Sequence, residues 1–343
     1  MFFLVARALI IQRYGWSRSI ITPSKRLRKD DSFFRAIVLG VLSSLFFSVT
    51  FVVNKSLSNA GDSWQWSASL RYIITLPVLL FLYVFSERKI SLYLSLKNNP
   101  KMWIIWGTVG FGLFYAPLTF ASYYGPAWLV AGVWQITILA GVVLDALISH
   151  SKHNQFGQRK IPWLSFIISA VIVFGVVLTL WRHLQRASLQ GGLFIILPVL
   201  LASFAFPLGN RVIISRIDPE IGTMDRMLGM TIGSMPFWLL LSGWGFMQHG
   251  WPPTEQIAQT AIIAVSSGIV ATGLFYYATH AVYQWPEKLA AIEATQAGEV
   301  LFTVLGSVFY LGEPPPDALA LCGLGVVVMA MLMHAVHVRK SAP

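Results

Sequence analysis

The chain is predicted to be an all-α integral membrane protein of ten transmembrane helices, arranged as two inverted five-helix repeats. Three observations predict it. First, 56% of the 343 residues are hydrophobic, 11% are charged and the mean hydropathy is +0.66, which leaves too little polar surface to coat a soluble globule. Second, apolar stretches of about 20 residues, the length that crosses a hydrocarbon core of about 30 Å as a helix, can be placed ten times. Third, Gly112-Leu113-Phe114-Tyr115 recurs as Gly273-Leu274-Phe275-Tyr276, and the same offset of 161 residues lays Gln135 on Gln296 and Lys55 on Arg216. A four-residue match has roughly one or two chance equivalents in a chain this apolar, so its weight comes from its position among the spans.

The spans fall near 33–54, 66–86, 102–123, 126–148, 161–181, 191–212, 225–246, 259–282, 288–311 and 318–338. With a cytoplasmic N-terminus, the inner segments hold 21 of the 25 Lys and Arg, the outer loops hold only Lys55, Arg182 and Arg186, and Arg71 lies inside a span. That asymmetry follows the positive-inside rule. It predicts a multi-pass protein of the cytoplasmic (inner) membrane with both termini cytoplasmic, and it accounts for the net charge of +11 without a nucleic-acid partner. Residues 1–32 read as a basic cytoplasmic extension. Their apolar start, Phe2 to Ile11, precedes most of the positive charges, the reverse of signal-peptide order. The single cysteine, Cys322, excludes a disulfide framework and a thiolate metal site, and reads as a packing residue in the last span.

Five crossings per copy make the second copy enter from the opposite side, so the repeats, 33–181 and 191–338, are inverted. Gly112 and Gly273 fall near the centres of the third and eighth spans, and Gln135 and Gln296 near mid-depth of the fourth and ninth. Pro77 and Pro236 correspond at an offset of 159. The loop with His150, Lys152, His153, Arg159 and Lys160 is longer than its counterpart, Gly312 to Asp317, so the register is lost after the fourth span. Two similar halves facing opposite ways can exchange roles, one opening inward as the other opens outward. No Walker motif, zinc-ligand spacing or Gly-x-Ser-x-Gly elbow is present, so the sequence supports neither an enzyme nor a cofactor.

The ninth span carries the strongest candidate site. Glu293, Gln296, Glu299 and Thr303 fall within an arc of about 120° at 100° per residue, one polar stripe. Glu299 sits close to the bilayer midplane, where a carboxylate costs several kcal/mol unless it is paired, protonated or hydrated, and where such residues usually line a cavity. Gln135 and Gln296 come from symmetry-related places and are expected to approach each other across the repeat interface, with Trp134 as a neighbouring wall. Tyr115 and Tyr276, also mates, read as gates or cation–π partners or as packing residues. Arg71 lies about a turn into the second span, where a long side chain can snorkel to the outer interface or, alternatively, draw an anion. His280, His334, His337 and Asp145 read as structural or interfacial.

Arg71-Tyr72 early in the second span, the Gly-rich aromatic third span, and Tyr310-Leu311-Gly312-Glu313-Pro314 closing the ninth resemble the drug/metabolite transporter superfamily, specifically its EamA-like and multidrug resistance efflux branch. The resemblance covers about residues 33–338. The first copy departs from it, ending its fourth span Leu144-Asp145-Ala146-Leu147 where the family often has a Gly-Glu pair. The resemblance implies a secondary active exporter of a small organic molecule or metabolite, with proton coupling as the expectation. Small four-helix relatives use a carboxylate in their first helix, but here Arg35 to Lys55 holds none, so coupling falls to Glu299. The rival within transport is an anion or sugar-phosphate-type exchanger using Arg71, with Arg211 or Arg216. From another class comes a non-transporting membrane sensor or scaffold. The partners expected are a small-molecule substrate and membrane lipid, and a homodimer is compatible with the sequence.

Overall fold

The computed structural model describes residues 29–85, 89–137, 139–141, 143–144, 163–186, 189–218, 220–282 and 286–341. The N-terminal extension before residue 29, and the long loop from His150 to Lys160, lie outside the described residues. Every regular element among the described residues is a helix. Among the described residues, five helices are long and apolar enough to cross a membrane: Phe33–Asn59, Trp64–Tyr83, Pro100–Ser122, Gly192–Arg216 and Thr254–Thr279.

In chain order, α1 (Lys29–Asn59) is followed by a tight turn through Gly61, whose φ of +80° lies in the left-handed region that favours glycine. The turn leads into α2 (Trp64–Tyr83), whose first turn is capped by the Ser63 side chain accepting from the Trp66 N–H. A short polar helix, α3 (Lys89–Asn98), precedes α4 (Pro100–Ser122), which starts on a proline, as suits a position with no helical N–H to satisfy. There follow α5 (Ala127–Trp134), α6 (Trp163–Arg186), α7 (Leu189–Arg216), α8 (Thr223–His249), α9 (254–282), α10 (286–309) and α11 (Ala318–Ser341). The sequence reading has no counterpart to α3, whose apolar residues are too few and too interrupted to make a span.

The burial pattern is that of a protein whose solvent is lipid. Leu240 and Met247 of α8 are 78% and 85% exposed, whereas α1 buries Ser43, Ser44, Ser48, Thr50 and Asn54 and turns Val41, Leu42 and Leu45 outward. With no water to satisfy hydroxyls in the hydrocarbon region, they turn inward, and those of Ser43, Ser44 and Ser48 bond backbone carbonyls. Ser43 Oγ donates to the Ala271 carbonyl of α9 at 2.9 Å. Cys322 is exposed on α11, which corrects the packing role expected for it, since its helix face has no protein neighbour there.

α2 packs on α8, α6 on α11 and α5 on α10; α1 lies against α9 and α10, and α7 against α4 and α5. At the α6–α11 crossing a Cβ on Gly175 would meet the Gly323 carbonyl at 2.7 Å, an approach open only to helices without side chains at that point.

The Gly-Glu-Pro ending of α10 has a physical explanation. Gly312, at φ +66°, ends the helix in the left-handed region, and the Glu313 N–H reaches back to the Ser307 carbonyl at 3.0 Å. The Glu313 carboxylate lies near Ser307, the start of α5 at Ala127, and Lys55 of α1, whose charge attracts it. Burial pushes its pKa above the usual carboxylate value, and Ser307, Lys55 and the Ala127 N–H only partly oppose this. A raised value means that the fold favours the protonated form, so stability is greatest below the ordinary carboxylate pKa, about 4.3, and declines as pH rises through the raised one. Glu313→Gln is expected to flatten that decline in thermal unfolding followed from pH 4 to 8; an unchanged slope would show that Glu313 contributes nothing to it.

Candidate functional site

The site is assembled where two helices break. α10 consists of Pro286–Ala294, a 3₁₀ turn at Thr295–Ala297 and Gly298–Phe309, so Gln296 occupies the interruption and Glu299 follows it. In the other half, α5 ends at Trp134 and Gln135 forms a turn before the chain coils again. The aligned glutamines therefore both sit at helix breaks. Neither break has a proline; small residues allow the close packing instead. A Cβ on Gly40 of α1 would lie 2.5 Å from Thr295 Oγ1, and one on Gly298 would lie 2.7 Å from Ser44 Oγ.

Seated on α1, α10 turns Glu299 inward, 4% exposed. The Trp134 indole of α5 lies beside its carboxylate, and no cation among the described residues pairs with it. Thr303, fully buried, spends its hydroxyl on the Glu299 backbone carbonyl at 2.6 Å. Gln296 donates to the Gly40 carbonyl at 3.4 Å. Gln135 turns back to the Ala131 carbonyl at 3.2 Å, leaving its buried Oε1 without a protein partner. The hydrogen bonds of the two amides thus go to different helices rather than to each other. The Glu293 and His280 side chains lie outside the described residues.

An aromatic relay leads from Trp134 to a second polar cluster. The Trp134 ring lies 4.9 Å from Phe114, and the next residue, Tyr115, is fully buried with its hydroxyl accepting from Asn54 Nδ2 at 3.1 Å. Over the Tyr115 ring, 4.0 Å from its centroid, stands the Arg71 guanidinium. Arg71 is only 6% exposed and donates to Ser267 Oγ at 2.7 Å. The snorkelling expected of it is corrected: α2 turns Arg71 into the bundle because Ser267 and the Tyr115 ring receive it there. Ser267 lies in a π-helical segment, Ala264–Ala271, and Thr272 caps its freed carbonyl at 2.9 Å. π turns commonly mark functional positions. α4 has its own, Thr108–Gly112, just before Leu113-Phe114-Tyr115.

Tyr276 also carries an arginine, with the Arg226 guanidinium of α8 5.2 Å from its ring centroid. Sequence reasoning missed Arg226, because its offset from Arg71 is 155 residues while the tyrosines differ by 161. It also missed Asn54, which lies at the predicted end of its span. The groove between α10 and α11, lined by Leu301, Val304, Leu321 and Val328 among others, is almost wholly apolar and holds none of these groups.

A family model described as "EmrE: Putative multidrug resistance efflux transporter" matches residues 34–340. The chain belongs to that family. The family's description is that of a membrane efflux transporter, which agrees with the apolar spans and implies a transporter. Among its relatives, the uncharacterized protein YjlA of Bacillus subtilis (strain 168) is 44% identical over 313 residues, covering 90% of this chain and 97% of its own. An uncharacterized 42.1 kDa protein of Shouchella clausii, from the 3' region of intracellular alkaline protease, is 45% identical over 267 residues, 77% of this chain and 70% of its own. One solved crystal structure superposes on 90% of this chain and 99% of its own with a TM-score of 0.61 at 12% identity, a likeness of fold alone.

Proposed function

We propose that the protein is a secondary active exporter that moves a small organic solute out of the cell in exchange for protons, with Glu299 as the coupling group. One observation carries this reading. A carboxylate buried near mid-bilayer, on a broken helix of one half and beside Trp134 of the other, has no cation among the described residues to hold it permanently charged. Such a group gains or loses a proton when the gap between the halves opens.

The alternating-access part of the proposal rests on ten crossings in two inverted repeats, with both termini cytoplasmic. Its support is the packing pattern. Exchanging each helix for its counterpart, α1 with α7, α2 with α8, α4 with α9, α5 with α10 and α6 with α11, maps the principal helix contacts onto one another. The matched breaks at Gln135 and Gln296, and the π segments preceding Tyr115 and Tyr276, obey the same exchange.

The test uses everted membrane vesicles energised to an acidic interior and loaded with acridine orange. Wild-type vesicles are expected to show a fluorescence rise on addition of transported solutes from a metabolite panel, absent from vesicles lacking the protein. A solute that moves without any proton signal would remove the coupling.

A further inference from the structure

The two repeated tyrosines share one unusual feature: each supports an arginine from the first two turns of the preceding long helix, α2 or α8, in its own half. Arg71 is the more deeply buried. A guanidinium has five N–H donors and stays charged, yet the one hydrogen bond described for Arg71 goes to the neutral Ser267 hydroxyl. Its other neighbours, the Tyr115 and Tyr72 rings, 4.0 and 5.6 Å from it, are neutral as well. No carboxylate among the described residues pairs with it. Arg226 repeats the pattern, with a buried Nε that has no protein partner.

A buried charge left among neutral groups is destabilising unless an opposite charge joins it during function. A purely structural tie between α2 and α9 would need only a neutral donor. Beside Arg71, Tyr72 is stacked on Trp238 at 4.4 Å and tilted against Phe111 at 5.3 Å, flat apolar surfaces next to a planar fork that grips carboxylates bidentately.

We infer that the exported solute is an organic anion, a carboxylate on an apolar, ring-bearing body, and that Arg226 and Arg71 hold its charged group in turn. This deepens the transporter reading and rests on it. Both differ from a cation pump, for which an arginine at this position would repel the cargo.

The experiment uses the purified full chain and three probes with one body and three charges: 3-phenylpropanoate, 3-phenylpropanamide and 3-phenylpropylamine. Thermal shift and counterflow in proteoliposomes are measured for each. The carboxylate is expected to raise the melting temperature and exchange, and the amide and amine to do neither. Arg71→Gln should weaken anion binding tenfold or more, Arg71→Lys less, and Arg226→Gln should impair exchange. Should Arg71→Gln fail to fold, Arg71→Lys and Ser267→Ala decide, the lysine variant being expected to lose several-fold in affinity and the alanine variant to stay within about threefold, since its guanidinium is intact. No response to the carboxylate, equal response to the amide or amine, or full affinity in the arginine variants would overturn the inference. Glu299→Gln separates it from the coupling proposal: retained anion binding without a proton signal supports both, and a proton signal that survives Glu299→Gln while Arg71→Gln loses the anion defeats the coupling alone.

Discussion

In everted vesicles, Glu299→Gln is expected to reduce solute-driven proton movement to background, a loss of at least about 100-fold, while the protein folds and still binds solute. The substitution is nearly isosteric, so packing between α5 and α10 should persist. What disappears is the ability to carry a proton. Trp134→Phe is the complementary change. It removes the indole N–H beside a buried carboxylate but leaves the titratable group, so it should lower thermal stability and slow transport without uncoupling it. Proton movement of wild-type size in Glu299→Gln would eliminate Glu299 as the coupling group, and uncoupling by Trp134→Phe would show that the indole is part of the proton path.

The long apolar helices were legible because in a lipid solvent a span is a continuous apolar run, and the bounds of the five spans among the described residues follow such runs. α7, predicted as 191–212, runs from Leu189 to Arg216 because helical hydrogen bonding continues into the polar interface. Glu299 and Trp134 were legible as candidates from depth and neighbourhood. Arg71 was a candidate too, but its inward orientation was not legible, because distance along a helix says how deep a side chain lies but not which way it faces. That depends on α9, nearly 200 residues away in the chain, presenting Ser267 on a π segment. The breaks at Gln135 and Gln296 were equally hidden, because neither coincides with a proline, and the one at Gln296 goes with tight packing among Gly40, Ser44, Thr295 and Gly298. The repeat could be read only where its register was strict, which is why Tyr115 and Tyr276 stood out and Arg226 did not.

The second large effect expected is structural. Gly233→Val should prevent stable folding, seen as aggregation on size exclusion or a melting temperature far below wild type. α4 and α8 cross backbone against backbone there: a Cβ on Gly233 would overlap the Trp103 carbonyl, and one on Gly107 would meet the Met230 carbonyl at 2.8 Å. Backbone atoms cannot rotate away as a side chain can, so the helices must separate, and overpacking of this kind costs about 1–3 kcal/mol and occasionally more. Separation would also move α8, which carries Arg226, relative to α4, which carries Tyr115, so any folded remainder should transport poorly. Gly243 lies on the same helix with nothing within 4 Å of its Cβ position. Gly243→Ala is therefore expected to be neutral or stabilising by roughly 0.5–1 kcal/mol, the ordinary helix preference of alanine over glycine. If both variants unfold alike, the sensitivity belongs to α8 as a whole, and the close crossing at Gly233 is not what holds the two halves in register.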